Sequence, residues 1–329
     1  MSVLVLARES EQEQGLRPLD VLRDIDGIAR LIDLAFAEDM AQDGAGVRNE
    51  LAILSATSPL LWVLRNISSE MRDSLDGFVW TEDNHIVGNV TLARDDPERH
   101  VWTISNVAVH PDYRRHGIAR ALMAATLEQI AARGGGQAVL EVKANNKAAY
   151  DLYLNLGFQF VDGTVTARHP GRPTQPLPLA ERARRLAPSE WRKLYDLVRS
   201  TRSPLAERIN PLREKDYAQT LTRRIADGLS DFWQQEQRFW LAVAKDGVLS
   251  GAVRLHLRRY GGHSANILIA PGERNYVEES LVQATLLAGG ASGRSITAQV
   301  ASSEDVAQAI LWQHGFTEVR HLHRLAKEV

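Results

Sequence analysis

The 329-residue sequence predicts an α/β fold built twice in tandem, and three observations carry that expectation. Apolar strand-like stretches alternate along the chain with stretches whose apolar residues recur at helical spacing. The length exceeds the usual span of one domain. The order of elements in the first half also returns in the second. Val107 to Arg114, a helix from Ile118 to Arg133, a strand Ala138 to Lys143, a helix Asn146 to Leu156 and Gly157-Phe158 are retraced downstream. The second set is Ile267 to Arg274, a helix from Tyr276 to Leu287, a strand Ser295 to Val300, a helix Ser303 to Trp312 and Gly315-Phe316. Pro111 matches Pro271 at an offset of 160, and Gly157 matches Gly315 at 158.

Earlier elements follow the same scheme. Ile25 to Phe36 and Trp191 to Val198 both have helical apolar spacing after an acidic or proline-containing start. Two hairpins are expected: Gly77 to Thr81 with His85 to Leu92 around Glu82-Asp83-Asn84, and Phe239 to Ala244 with Val248 to Leu255 around Lys245-Asp246-Gly247. Between the halves, His169 to Pro178 is proline-rich and without periodicity, which reads as a stiff linker. The expected division is 1–167, a linker 168–180, and 181–329.

The most informative segment is Val107-Ala108-Val109-His110-Pro111-Asp112-Tyr113-Arg114-Arg115-His116-Gly117-Ile118-Ala119. An apolar strand passes through a proline turn into a short basic loop and then a helix. The first-turn amides of such a helix lack intrahelical partners, and with the positive end of the dipole they favour a phosphate. Gly117 lets the backbone come close, while Arg114 and Arg115 add charge. The spacing is neither Gly-x-Gly-x-x-Gly nor Gly-Lys-Ser/Thr, so it matches neither common nucleotide fingerprint.

Arg114 through Ala119 resembles the acyl-CoA loop of the GNAT acetyltransferases, Arg/Gln-x-x-Gly-x-Gly/Ala. Leu140 through Phe158 resembles the second half of the GNAT core, especially in the ribosomal-protein N-terminal acetyltransferases. The two-domain layout resembles mycothiol synthase-like proteins, although this chain keeps the motifs in its N-terminal copy. The resemblance implies two tandem GNAT domains, each a mixed, mostly antiparallel sheet flanked by helices. It implies an acetyl-CoA site in the first domain formed by Val107, Ala108 and Val109, by Arg114, Arg115, His116, Gly117, Ile118 and Ala119, and by Asn146, Ala149 and Tyr153. It makes Glu141 the general base and Tyr153 the general acid of acetyl transfer to a primary amine, on a small molecule or a peptide N-terminus. Main-chain groups of Val107 and Val109 would grip the pantetheine arm, and a backbone N–H there could stabilise an oxyanion.

Each residue also has a plainer reading. A glutamate with an ordinary pKa of about 4.3 lies far below an amine, so Glu141 needs burial or ordered water to act as base; otherwise it is a strand-end carboxylate paired with Lys143 or an arginine. A phenol of pKa about 10 suits a departing thiolate, but Tyr153 also fits the edge of a core, since Ala149, Leu152 and Leu156 form an apolar face beside it. Asn146 could be an N-cap alone, and Tyr150 is the alternative to Tyr153. In the second copy Val277-Glu278-Glu279 replaces Gly117-Ile118-Ala119, while Gln299, Glu304 and Leu311 replace Glu141, Asn146 and Tyr153. A structural role is expected for that half.

Composition narrows the remaining classes. Without cysteine there is no disulfide, thiolate metal site or acyl-cysteine intermediate, so direct transfer and no metal are expected. His321 and His323 share a face of the last strand and read as surface histidines. A net charge of -2 gives no electrostatic case for nucleic acid, since Arg182, Arg184 and Arg185 form only a short basic patch. No apolar run approaches the ~20 residues of a membrane span, and Met1 to Ala7 is too short for a signal peptide, so a cytoplasmic protein is expected. A monomer with pseudo-dimeric tandem domains and a homodimer both fit. Acceptor choice is expected in Ala37 to Ser58 and Arg94 to Arg99, whose Glu38, Asp39, Asp43, Asp95 and Asp96 read as solvated surface. The alternative to an enzyme is a non-catalytic acyl-CoA sensor or interaction protein.

Overall fold

The computed structural model describes residues 14–42, 76–96, 100–171, 183–218, 236–273, 276–290 and 292–329. In chain order the elements of the first half are β1 (Gly15–Pro18), α1 (Val21–Gln42), β2 (Asp76–Glu82), β3 (His85–Asp96), β4 (Val101–Val109), α2 (Ile118–Ala132), β5 (Gln137–Lys143), α3 (Lys147–Asn155) and β6 (Gln159–His169). Those of the second half are β7 (Arg184–Arg185), α4 (Trp191–Ser200), α5 (Pro204–Ile209), α6 (Glu214–Tyr217), β8 (Glu236–Lys245), β9 (Val248–Arg258), β10 (His263–Ile269), α7 (Glu278–Gly290), β11 (Ile296–Ala301), α8 (Asp305–Gln313) and β12 (Thr317–Glu328). The repeat therefore holds element by element. Helices α2 and α7 start 160 residues apart, and α3 and α8 start 158 apart.

By contact the chain divides into one unit of Met1–Leu140, Asn155–Phe158 and Ala326–Val329, and another of Glu141–Leu154 and Gln159–Leu325. In the first unit β1, β2, β3 and β4 are successively antiparallel, and β5 lies parallel to β4. The β2–β3 loop is Asp83-Asn84, with φ of 48° and 62°. Two left-handed residues make a type I′ turn, whose twist matches the flanking strands. Helix α1 begins four residues earlier than its apolar spacing suggests, because the Asp20 carboxylate accepts hydrogen bonds from Leu22 N (3.1 Å) and Arg23 N (3.3 Å) and so caps it. Helix α2 lies very close to β3. A Cβ added at Gly88 would sit 2.7 Å from Ile118 Cγ2 and 3.1 Å from Leu122 Cδ1, so glycine sets the depth at which the helix docks.

In the second unit β12 lies beside β6, β6 is antiparallel to β11, β11 is parallel to β10, and β9, β8 and β7 follow as antiparallel neighbours. The β8–β9 loop, Asp246-Gly247 with φ of 50° and 82°, repeats the left-handed pair of the first hairpin. Helix α7 docks on Gly251 as α2 docks on Gly88: a Cβ there would lie 2.9 Å from Leu281 Cδ1 and 3.0 Å from Val277 Cγ2. Val253, Leu255, Ile267, Ile269, Leu281, Ile296, Val300 and Phe316 form its core, while Leu194, Leu197 and Val198 of α4 pack on Leu249 and Ala252.

The contact division does not follow the stretch 168–180. Arg168 and His169 are the last residues of β6, where they pair with Thr297 and Ile296 of β11. Strand β11 needs an edge partner on the side away from β10, and β6 supplies it although it precedes the proline-rich stretch in sequence. Most of that stretch, 172–182, lies outside the described residues.

Candidate active site

Strand β4 carries a defect in the middle of its ladder with β3. Asn89 pairs with Ala108 and Thr91 with Ser105, so the register slips between them. At the slip Asn106 takes a left-handed φ of 53°, the mark of a β-bulge. The ladder between β4 and β5 runs only from Val101↔Gln137 to Ile104↔Leu140. On the other side, His110 N donates to Val87 O at 2.8 Å. The alternation of an antiparallel ladder then turns the backbone groups of Ala108 toward β3 and those of Val107 and Val109 away from it. Ala108 is buried, whereas Val107 and Val109 are half-buried. The main chain expected to hold a pantetheine arm is thus presented at an unpaired strand edge.

Beyond β4 a 3₁₀ turn at Pro111–Tyr113 leads into the loop. Arg115 has φ 66°, and Gly117, with φ 82° and ψ -3°, precedes the first residue of α2. Nothing lies within 4 Å of a Cβ built on Gly117. Glycine is needed there for its left-handed backbone, and the space in front of it is open. Ala121 N is the first amide of α2 to bond back into the chain, to Gly117 O at 3.0 Å. The N–H groups of residues 115 to 120 make no hydrogen bond to the described residues. A run of unpaired amides across a left-handed loop and a helix start is an arrangement that suits an anion. Ile118 is buried in the core and Ala119 is half-buried, while Arg115, His116 and Gly117 are exposed. Arg114 also has a structural role. Its Nη2 donates to Ala35 O at 3.2 Å and its Nε to Val109 O at 3.5 Å, so the guanidinium ties the loop to α1 and β4.

The remaining expected residues lie in the second unit. Asn146 Oδ1 accepts from Ala149 N at 3.1 Å, so Asn146 caps α3. Ala149 is half-buried. Tyr153 is 5% exposed, and burial pushes its phenol up to about 12, above the ordinary value assumed from sequence. Glu141 is exposed, so burial does not supply the raised pKa a direct base would need. His321 and His323 are half-buried rather than exposed. Their rings lie 5.1 Å apart, and His323 packs edge-on to Tyr150 (5.4 Å) and Phe160 (5.3 Å). The Nε2 of His321 and Nδ1 of His323 are buried with no partner among the described residues. Burial, and then the neighbouring His321, holds His323 below the usual imidazole range. Sequence reasoning missed this packing and also missed Asn89 and Asn106. The one available signal was two asparagines inside strands, where the residue is disfavoured.

The matching helix start in the second repeat is closed by its own side chains. Glu278 is 1% exposed, and its Oε2 accepts from Val277 N at 3.1 Å. Glu279 Oε1 accepts from Gln283 Nε2 at 2.5 Å and lies 2.7 Å from His314 Nε2. Carboxylates of this chain stand where the first repeat has open amides.

A helix start with open amides beside a bulged strand points to a class, and comparison with known proteins agrees. The acetyltransferase (GNAT) family model matches residues 50–158. A [ribosomal protein bS18]-alanine N-acetyltransferase of Salmonella typhimurium is 43% identical over 126 residues, covering 33% of this chain and 80% of that protein. The Escherichia coli (strain K12) protein of the same name is 46% identical over 56 residues, so this chain spans only 38% of its length. A mycothiol acetyltransferase of Kocuria rhizophila is 30% identical over 149 residues, 44% of this chain and 45% of that one. The crystal structure of a GCN5-related N-acetyltransferase from Sphaerobacter thermophilus shares the fold with TM-score 0.59 at 16% identity, over 95% of each chain. The chain belongs to the acetyltransferase (GNAT) family, and both repeats lie within the shared fold.

Proposed function

We propose that this chain is an acetyl-CoA-dependent N-acetyltransferase that passes the acetyl group directly to a primary amine. The observation that carries the reading is the run of unpaired amides at residues 115 to 120, open in front of Gly117, next to a strand whose Val107 and Val109 backbone groups face away from the ladder. A diphosphate satisfies the first set and an amide-bearing arm the second. When bound, acetyl-CoA supplies the thioester that is cleaved. The backbone N–H of Val107 or Val109 donates to its carbonyl oxygen as negative charge develops. Arg115 and His116 add positive charge at the rim, and Arg114 holds the loop.

Glu141 and Tyr153 take the family's roles of base and acid because they occupy its motif positions. Glu141 is exposed, so the amine proton reaches it through water. Tyr153 stays protonated at neutral pH, since its phenol is pushed up to about 12, and it releases its proton to the thiolate as that charge forms in the same desolvated surroundings. Asn146, which caps α3, and Ala149 in its first turn take the family's donor-contact positions. Residues 1–167 form the catalytic repeat and 181–329 the degenerate one. Among the described residues no helix is long and apolar enough to cross a membrane; the proposed place of action is the cytoplasm. The relatives' names favour a peptide N-terminus or an amine-bearing metabolite as acceptor.

The test is thiol release from acetyl-CoA with a panel of amines and short peptides. Acceptor-dependent release with equimolar acetylated product supports the reading. Measurable donor binding without release in any arm would instead favour the sensor.

A further inference from the structure

The bulge in β4 is held by side chains, and no role is assigned to them by the family motif. Asn89 on β3 is fully buried, and its Nδ2 donates to the backbone O of Asn106 at 3.0 Å. Asn106 Nδ2 in turn donates to Thr91 Oγ1 at 3.2 Å, and Thr91 is buried as well. Asn89 Oδ1 is buried with no partner among the described residues. A buried orphan acceptor costs stability that an apolar residue of the same shape would not lose. Left-handed backbone at a non-glycine residue adds its own strain, and asparagine is among the few residues that tolerate it. Two costs therefore meet at one point, and both are spent on the conformation of residue 106.

We propose that Asn89 and Thr91 are positioning residues that clamp Asn106 in its left-handed conformation and thereby aim the Val107 N–H at the thioester of the donor. The clamp acts on the backbone from both ends of Asn106, its carbonyl and its side chain. Without it the residue relaxes toward extended geometry, the two strands fall back into continuous register, and alternate backbone groups exchange the edges they face. The aim of Val107 then changes, while the loop at 115 to 120 keeps its anchors to α2 and, through Arg114 Nη2 and Ala35 O, to α1. The inference rests on the proposed donor site, and its test separates the two.

Asn89→Leu removes the clamp at constant shape, and Thr91→Val removes only its outer half. Binding of acetyl-CoA and of adenosine 3′-phosphate 5′-diphosphate, which carries the diphosphate but no thioester arm, is measured by calorimetry. The HN–Hα coupling of residue 106, in selectively labelled protein, reports its φ. Asn89→Leu is expected to weaken acetyl-CoA about tenfold, the cost of one left-handed residue expressed as affinity, and to leave the nucleotide within twofold. Asn106→Gly placed in the Asn89→Leu background should restore acetyl-CoA affinity, since glycine adopts this φ without help. A normal coupling and normal acetyl-CoA affinity in Asn89→Leu, with only a lower melting temperature, would overturn the inference. If Asn89→Leu does not fold, Thr91→Val decides on the same two readouts. Failure of the unaltered protein to bind either probe would sink the donor site, and the coupling alone would then judge the clamp.

Discussion

Helices α2 and α7 start at matching positions, dock on matching glycines, Gly88 and Gly251, and follow strands of the same rank in their repeats. Their first residues differ in kind. Around Gly117-Ile118-Ala119 the amides of residues 115 to 120 have no partner among the described residues. Val277-Glu278-Glu279 buries an apolar side chain and folds a carboxylate back onto an amide. An anion site needs a helix start that the chain itself leaves unpaired, whereas a stable helix start is better capped. On the proposed reading, one repeat keeps the amides open for a ligand, and the other caps its helix start with its own carboxylates. The same framework supports both because docking depth depends on the strand glycine and not on the loop.

The comparison breaks most sharply at its glycine. Gly117→Val puts a β-branched residue at φ 82° and a side chain into the open space, so acetyl-CoA affinity should fall about a thousandfold by calorimetry. Val277→Gly should cost stability alone and leave donor affinity unchanged; equal losses in the two variants would mean that both repeats bind donor. Tyr153→Phe should lower kcat about 100-fold with donor affinity within twofold. With the phenol at about 12, the pH profile should show no fall from Tyr153 below about pH 11. An unaltered kcat would move the acid elsewhere, although Tyr150 is committed to packing against His323. Glu141→Gln should cost about tenfold in kcat, less than a buried base would, because water can carry part of the transfer. A loss of several thousandfold would show that Glu141 touches the amine directly.

Smaller effects test the second repeat's cap. Glu278→Ala removes a buried acceptor from Val277 N and should lower unfolding free energy by about 2 kcal/mol in a denaturant titration, with no gain in donor binding. The gentlest effect belongs to His169, which is buried on β6, accepts from Gly171 N at 3.0 Å, and lies beside Phe316. Burial, and then His314, holds it below the usual imidazole range. The unfolded chain therefore binds the proton first. Its contribution is full above about pH 6.5 and is lost as pH falls. The melting temperature should decline from pH 7.5 to 5.5, and His169→Phe should make that slope shallower. An unchanged slope would assign the decline to His263 and His323, whose imidazoles burial also holds low.

Much of this was legible along the chain because the physics is local. Two left-handed turn residues between alternating strands announce a hairpin, and Asp83-Asn84 and Asp246-Gly247 both do so. Helical spacing marked α2, α3, α4, α7 and α8 to within a few residues, and the offsets 160 and 158 described the repeat correctly. Gly117 was found for its flexibility, and Asn146 for its cap. What depends on distant partners could not be read in this way. The contacts of Arg114 with Ala35 O and Val109 O join elements far apart in sequence, and the exposure of Glu141 is set by the fold around its strand.

Local rules thus specify which elements form, their order, and which helix start can hold an anion, since turns, caps and periodicity involve neighbours in sequence. The pairing of β6 with β11 and the left-handed Asn106 held by Asn89 and Thr91 belong to the tertiary structure. A strand edge carries no address in its own residues, and a bulge exists only relative to the partner strand whose register it breaks.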